Sequence, residues 1–184
     1  SQKALKYGIE DGKKLDSSLD SVNGILLSRS EKMQRQALIT RVKSEGYSQV
    51  IEEVAYTWFN RFIALRFMEV NGYLPSHVRV FSDENGKFVP KILAEALHVE
   101  IPGLDVDYVM KLKTDSNDEE LFSYLLIAQC NALYEVLPYL FSKIEDYTEL
   151  LLPDYLLRDG SVIERLVNDI PEDNFDINSD NGQI

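Results

Sequence analysis

Few residues in this chain have the types and spacing that chemistry needs. Cys130 is its only cysteine and His77 and His98 its only histidines. That excludes an internal disulfide and a cysteine-based zinc site, and it leaves metal catalysis almost no material. Cys130 lies inside LFSYLLIAQCNALYEVL with no histidine close in sequence to serve as its base, so it reads as a small core residue rather than a nucleophile. His98 reads as a helix-end or surface residue. No pair of residues has the spacing of an acid-base or nucleophilic couple.

What remains are polar groups stranded in apolar runs. Arg66 and Glu69 lie in IEEVAYTWFNRFIALRFMEVNGYL, residues 51–74. Wound at about 100° per residue, that run puts Arg66 between Ala55 and Phe59 and Glu69 beside Ile51, on the side that should be dry. The structural reading is a pair at i, i+3, or an Arg66 that reaches a carboxylate elsewhere with its stem packed on aromatics. The functional reading is a docking face for another domain. Gln129 and Asn131 pose the same question, since an amide in a dry helix finds partners or costs about 1 to 3 kcal/mol. Loop carbonyls, Arg66 or Asn60 are the structural partners, and a polar pocket is the alternative.

Charge narrows the partners. The net charge is -12, but residues 1–70 hold 11 Lys and Arg against 9 Asp and Glu (+2), whereas 71–184 hold 8 against 22 (-14). Binding to phosphates draws on clustered Lys and Arg. A direct DNA contact therefore falls on Lys32, Arg35, Arg41 and Lys43, although a basic helix face is most often only a solvated surface.

These residues must be positioned by helices. The 51–74 run is apolar nearly all round, with Phe59, Ile63, Phe67 and Val70 widening its buried face, and it predicts a central helix from about Ser48 to Asn71. Asn71-Gly72 and Pro75 stop it. Before it, Arg29 to Glu45 predicts an amphipathic helix that starts at Ser30-Glu31 and forms a hairpin with the central one across Gly46. The run after Asn117 predicts a second buried helix packed on the first, opened by a Ser116/Glu119 capping box. Short helices are predicted at about 4–7, 90–98, 105–113 and 162–169, and Tyr139, Leu140, Phe141 and Ile144 extend the core. Residues 20–27 read as a turn or a single helical turn. A small β-hairpin or a loop spans 78–89, where Asn85-Gly86 favours a reversal. After Pro171 the acidic composition predicts an extended or disordered tail.

Longer stretches carry a resemblance. EEVAYTWFNRFIALRFMEVNGYLP at 52–75, EKMQRQALITRVKSEGYSQVI at 31–51, LFSYLLIAQCNALYEVLPYLF at 121–141 and DYTELLLPDYLL at 146–157 together resemble, in order, the amino-terminal region of the adenine-specific DNA methyltransferases of BREX phage-defence systems, the PglX-like family. The resemblance implies a parent enzyme that uses S-adenosylmethionine, bound at a glycine-rich strand-to-helix turn, and an Asn-Pro-Pro-Tyr motif for the flipped adenine. Neither motif is in this sequence, where no two prolines are adjacent. No catalytic, cofactor or metal residue carries over.

The expectation is a mainly α, compact multi-helix domain with two buried central helices and at most one small β-hairpin. Residues 1–172 form the helical module, and 173–184 an acidic tail or linker toward a catalytic domain beyond this fragment. No run of about 18 apolar residues offers a membrane span, and no secretory signal is read, so the cytoplasm is the expected compartment. The expected role is non-catalytic: support of the catalytic domain of the same chain, DNA contact through the parent protein, and contact with other defence-system subunits. The alternative is a stand-alone acidic interaction module or DNA mimic. A supporting module exposes an apolar patch, whereas a mimic clusters carboxylates on one surface.

Overall fold

The central run folds as one continuous helix, α3 (Tyr47–Val70), in the computed structural model, which describes residues 1–141 and 147–180. Its end is built as the sequence predicts. Gly72 takes φ 68, and the Tyr73 N–H returns to the Met68 carbonyl at 2.8 Å, closing the last turn. The preceding helix α2 (Arg29–Glu45) has the predicted span, but its cap is Ser28, two residues before the expected Ser30. Ser28 is the residue with a glutamate three positions on, and each side chain accepts the other's backbone N–H.

Helix α6 (Asp118–Leu133) is the second buried helix, with Leu121, Phe122, Leu125, Leu126, Cys130 and Leu133 fully enclosed. Its cap is Asn117 rather than Ser116. Ser116 adopts φ 53, a left-handed conformation that cannot serve as the extended cap residue.

The chain is mainly α, and among the described residues its one sheet is the antiparallel pair β1 (Ser21–Val22) and β2 (Ile25–Leu26). The hairpin therefore lies at the stretch expected to be a turn. Asn23 and Gly24, at φ 51 and 79, give the doubly left-handed reversal that matches strand twist. Asn85-Gly86 reverses the chain without a ladder. There the Asp83 carboxylate accepts the N–H groups of Asn85 and Lys87, both at 2.9 Å, and so takes up donors that a strand would offer its partner.

Where composition pointed to one compact domain, packing groups the residues into two units, Ser1–Phe59 with Ile144–Asp154, and Asn60–Lys143 with Tyr155–Ile184. The first holds α1 (Gln2–Lys6), the hairpin, α2, the start of α3 and α7 (Tyr147–Leu150). Its core gathers Ala4, Ile9, Leu38, Ile39, Val54 and Trp58, and α7 lies on α2. The Trp58 indole donates to the Thr148 carbonyl at 2.9 Å, and Gln34 donates to Glu149 at 3.0 Å.

The second unit holds the rest of α3, α4 (Lys91–Ala94), α5 (Val106–Thr114), α6 and α8 (Val162–Asp169), with α4 and α5 packed on α6. Phe81 links its two buried helices edge to face, with ring centroids 6.2 Å from Phe62 on α3 and 6.4 Å from Phe122 on α6. Over residues 172–175 the chain is not the extended tail that composition suggested. Glu172–Asn174 form a 3-10 turn and Phe175 is buried. Of the expected core around Pro138, Phe141 is buried, Tyr139 and Leu140 are exposed, and Ile144 lies outside the described residues. Among the described residues no helix is long and apolar enough to cross a membrane.

Candidate functional site

Arg66 and Glu69 stand one helical turn apart on α3, both buried, and join at 2.7 Å from Nη1 to Oε1. The Glu69 carboxylate is saturated. Its Oε2 accepts the backbone N–H groups of Val80 and Phe81 at 2.7 and 2.8 Å, and its Oε1 also accepts the Ser82 hydroxyl. Arg66 continues outward, donating to Ser82 at 2.9 Å and through Nη2 to Glu172 at 3.0 Å, with its guanidinium 5.7 Å from the centre of the Phe175 ring. Arg79 completes the group by meeting Glu172 through both Nη atoms and donating to the Asp83 carbonyl.

Two cations thus face two carboxylates, and their charges cancel in a place where an unpaired one would be costly. Both structural readings of Arg66 hold at once, since it pairs at i, i+3 and also reaches a distant carboxylate. Arg79, Ser82 and Glu172 were not foreseen. Gly86 is part of the arrangement, because a Cβ there would come 2.7 Å from Glu172 Oε2.

The other candidates are scattered. Gln129 is buried and its Oε1 accepts the Ser76 hydroxyl at 3.3 Å, while Asn131 is half-buried. Cys130 is enclosed, and burial pushes its thiol up to about 12 against the opposing pull of Arg61, which makes it a poor nucleophile at neutral pH. Of the basic row, Arg35 is buried and donates to the carbonyls of Tyr7 and Asp16 at 2.8 and 2.6 Å. Arg41 pairs with Glu45 and Glu53, and Lys32 with Asp20. Lys43 is exposed, beside a cleft of about 360 Å³ whose lining mixes Lys13 and Lys14 with Glu10 and Asp11. Among the described residues no group of three His, Cys, Asp or Glu side chains is placed to hold a metal ion.

The second unit also carries an open groove of about 590 Å³, lined chiefly by Ile63, Phe67, Met68, Tyr73, Leu137 and Leu140. Phe67 and Tyr73 form one wall, with ring centroids 6.0 Å apart. Ile63 and Phe67 were expected in the core, and here they are only partly covered. Sequence hydrophobicity marked them correctly as apolar but did not say what covers them.

By sequence the chain is a relative of adenine-specific methyltransferases, as the resemblance indicated. It is 41% identical over 178 residues, 88% of its length, to the adenine-specific methyltransferase PglX of Lacticaseibacillus casei (strain Zhang). It is 41% identical over 150 residues, 78% of its length, to the adenine-specific methyltransferase BrxX of Escherichia coli O9:H4 (strain HS). The chain spans only 14% and 12% of the lengths of these two proteins. No family profile matches it.

Proposed function

We propose that this chain is a non-catalytic, amino-terminal helical module of an adenine-specific, S-adenosylmethionine-dependent DNA methyltransferase of a cytoplasmic phage-defence system. One observation carries the reading: the chain matches most of its own length to methyltransferases that are about sevenfold longer. Much the greater part of such a protein is left to hold the chemistry.

The residues agree with that division. Methylating an adenine amine requires a pocket for the flipped base and a cofactor site. The sequence has no Asn-Pro-Pro-Tyr motif, and the one sheet among the described residues consists of two-residue strands, far short of a strand-to-helix cofactor turn. No step of the reaction is assigned to these residues. Residues 1–172 constitute the module, and 173–184, anchored at Phe175, lead toward the catalytic part. The partners in this reading are that catalytic part, DNA through the whole protein, and other subunits of the defence system. The exposed apolar groove is what a supporting module presents, and it favours this reading over an acidic mimic.

The test is removal of the module from the full-length methyltransferase. Cofactor binding by the remainder should persist, while its thermal stability and DNA methylation fall. A remainder that is as stable and as active as the whole would refute the supporting role.

A further inference from the structure

The groove on the second unit departs from an ordinary polar surface. Val136, Leu137 and Leu140 line it at 63, 38 and 39% exposure, together with the aromatic rings of Phe67 and Tyr73. Asn60 and the Tyr73 hydroxyl are the polar groups on the lining. A nucleoside, a cofactor or a phosphate would find almost no hydrogen-bonding anchor there, so recognition must be by apolar area. The groove is open rather than enclosed, which suits the apolar stripe of a helix.

We infer that this groove is the docking site for an amphipathic helix from the catalytic part of the same methyltransferase polypeptide. This docking rests on the function proposed above. The relatives carry several times more chain than the stretch matched here, covalently linked and therefore at high effective concentration, so a weakly selective apolar groove is filled from within the molecule first. Burying these side chains removes apolar surface that a free chain would otherwise leave in water. Phe67, Met68 and Tyr73 share the last turn and exit of α3 with Arg66, Glu69 and Asn71. The last three are fixed inside the unit, Asn71 by accepting from the Ile177 N–H and donating to the Phe175 carbonyl. The groove wall is thus held rigidly before its occupant arrives.

Amide hydrogen exchange compares the 184-residue chain with the full-length methyltransferase that carries it. The amides of Leu137, Leu140 and Phe141, bonded to the carbonyls of Leu133 and Leu137, should exchange at least about tenfold more slowly in the long chain. Leu137→Asp, or the more exposed Val136→Asp should the first not fold, should abolish that difference. Equal exchange in the two chains overturns the inference even if module removal has shown the supporting role to be right. Protection in the 184-residue chain that rises with concentration alongside a dimer in sedimentation also overturns it, by naming a second copy as the occupant. Protection in the long chain without any loss on module removal upholds the docking and refutes only the supporting role.

Discussion

The Arg79 guanidinium meets the Glu172 carboxylate fork to fork, Nη1 to Oε2 and Nη2 to Oε1, each at 3.0 Å across 93 residues of sequence. Planar, bidentate pairs of this kind are among the stronger ion pairs, and here Arg66 adds a third donor. Glu172 keeps about a third of its side chain in solvent, which moderates its worth. Glu172→Gln should lower unfolding free energy by about 1 to 2 kcal/mol in urea titration. It should also loosen the 3-10 turn it opens, seen as faster exchange of the Phe175 and Asp176 amides that bond to the Glu172 carbonyl.

The same pair sets a pH dependence. Burial opposes ionisation of Glu172, yet the hydrogen bonds and charges of Arg79 and Arg66 hold its carboxyl below the ordinary 4.5. A carboxyl depressed in the folded state contributes stability that is complete above its unfolded value and is lost as pH falls through the folded one. Urea midpoints measured from pH 6 downward should therefore fall more steeply below about 4.5 in the unmodified chain than in Glu172→Gln. Parallel curves would show that the pair does not form in solution.

Arg66 is wholly buried, so its loss strands charge rather than merely removing a contact. Glu69 would keep its bonds from Val80, Phe81 and Ser82 but lose its counter-ion. Arg66→Ala should cost about 3 kcal/mol, toward the lower end for a broken buried pair. Arg66→Lys should fall between, since an ammonium keeps the charge but not the planar fork that spans Glu69 and Glu172. An unchanged melting temperature in Arg66→Ala would show the side chain to be solvated.

Two glycines with nearly the same backbone separate strain from contact. Gly86 and Gly160 sit at φ 72 and 77, but a Cβ meets Glu172 only at Gly86, with nothing within 4 Å at Gly160. Each substitution to alanine should cost about 1 to 2 kcal/mol of left-handed backbone strain. Gly86→Ala should cost roughly 1 kcal/mol more, and that excess should vanish in a Glu172→Ala background. Equal costs for the two would mean that Glu172 yields without loss.

Much of this architecture was legible in the chain. The helix pattern of 51–70 and 118–133 followed from runs too apolar to face water, and the fate of Arg66 followed from its place on the dry side with Glu69 one turn on. The Arg79–Glu172 pair was not legible, because the two residues lie in stretches read as a hairpin or loop and a tail. Nothing local marks two residues 93 apart as partners. A single phenylalanine, Phe175, packs the chain just after Pro171, where the average acidic composition had suggested an extended or disordered tail. The groove escaped for a different reason: Phe67 and Leu140 look the same in sequence whether their cover belongs to this stretch or to another part of a longer polypeptide.

The account turns on a scaffold that performs no transfer itself, and calorimetric titration of the 184-residue chain with S-adenosylmethionine tests this most directly. At micromolar cofactor we expect no saturable heat, and no methyl group delivered to adenine in DNA by the same sample. Stoichiometric binding at that concentration would contradict the account, because it would require a cofactor site within residues to which none has been assigned.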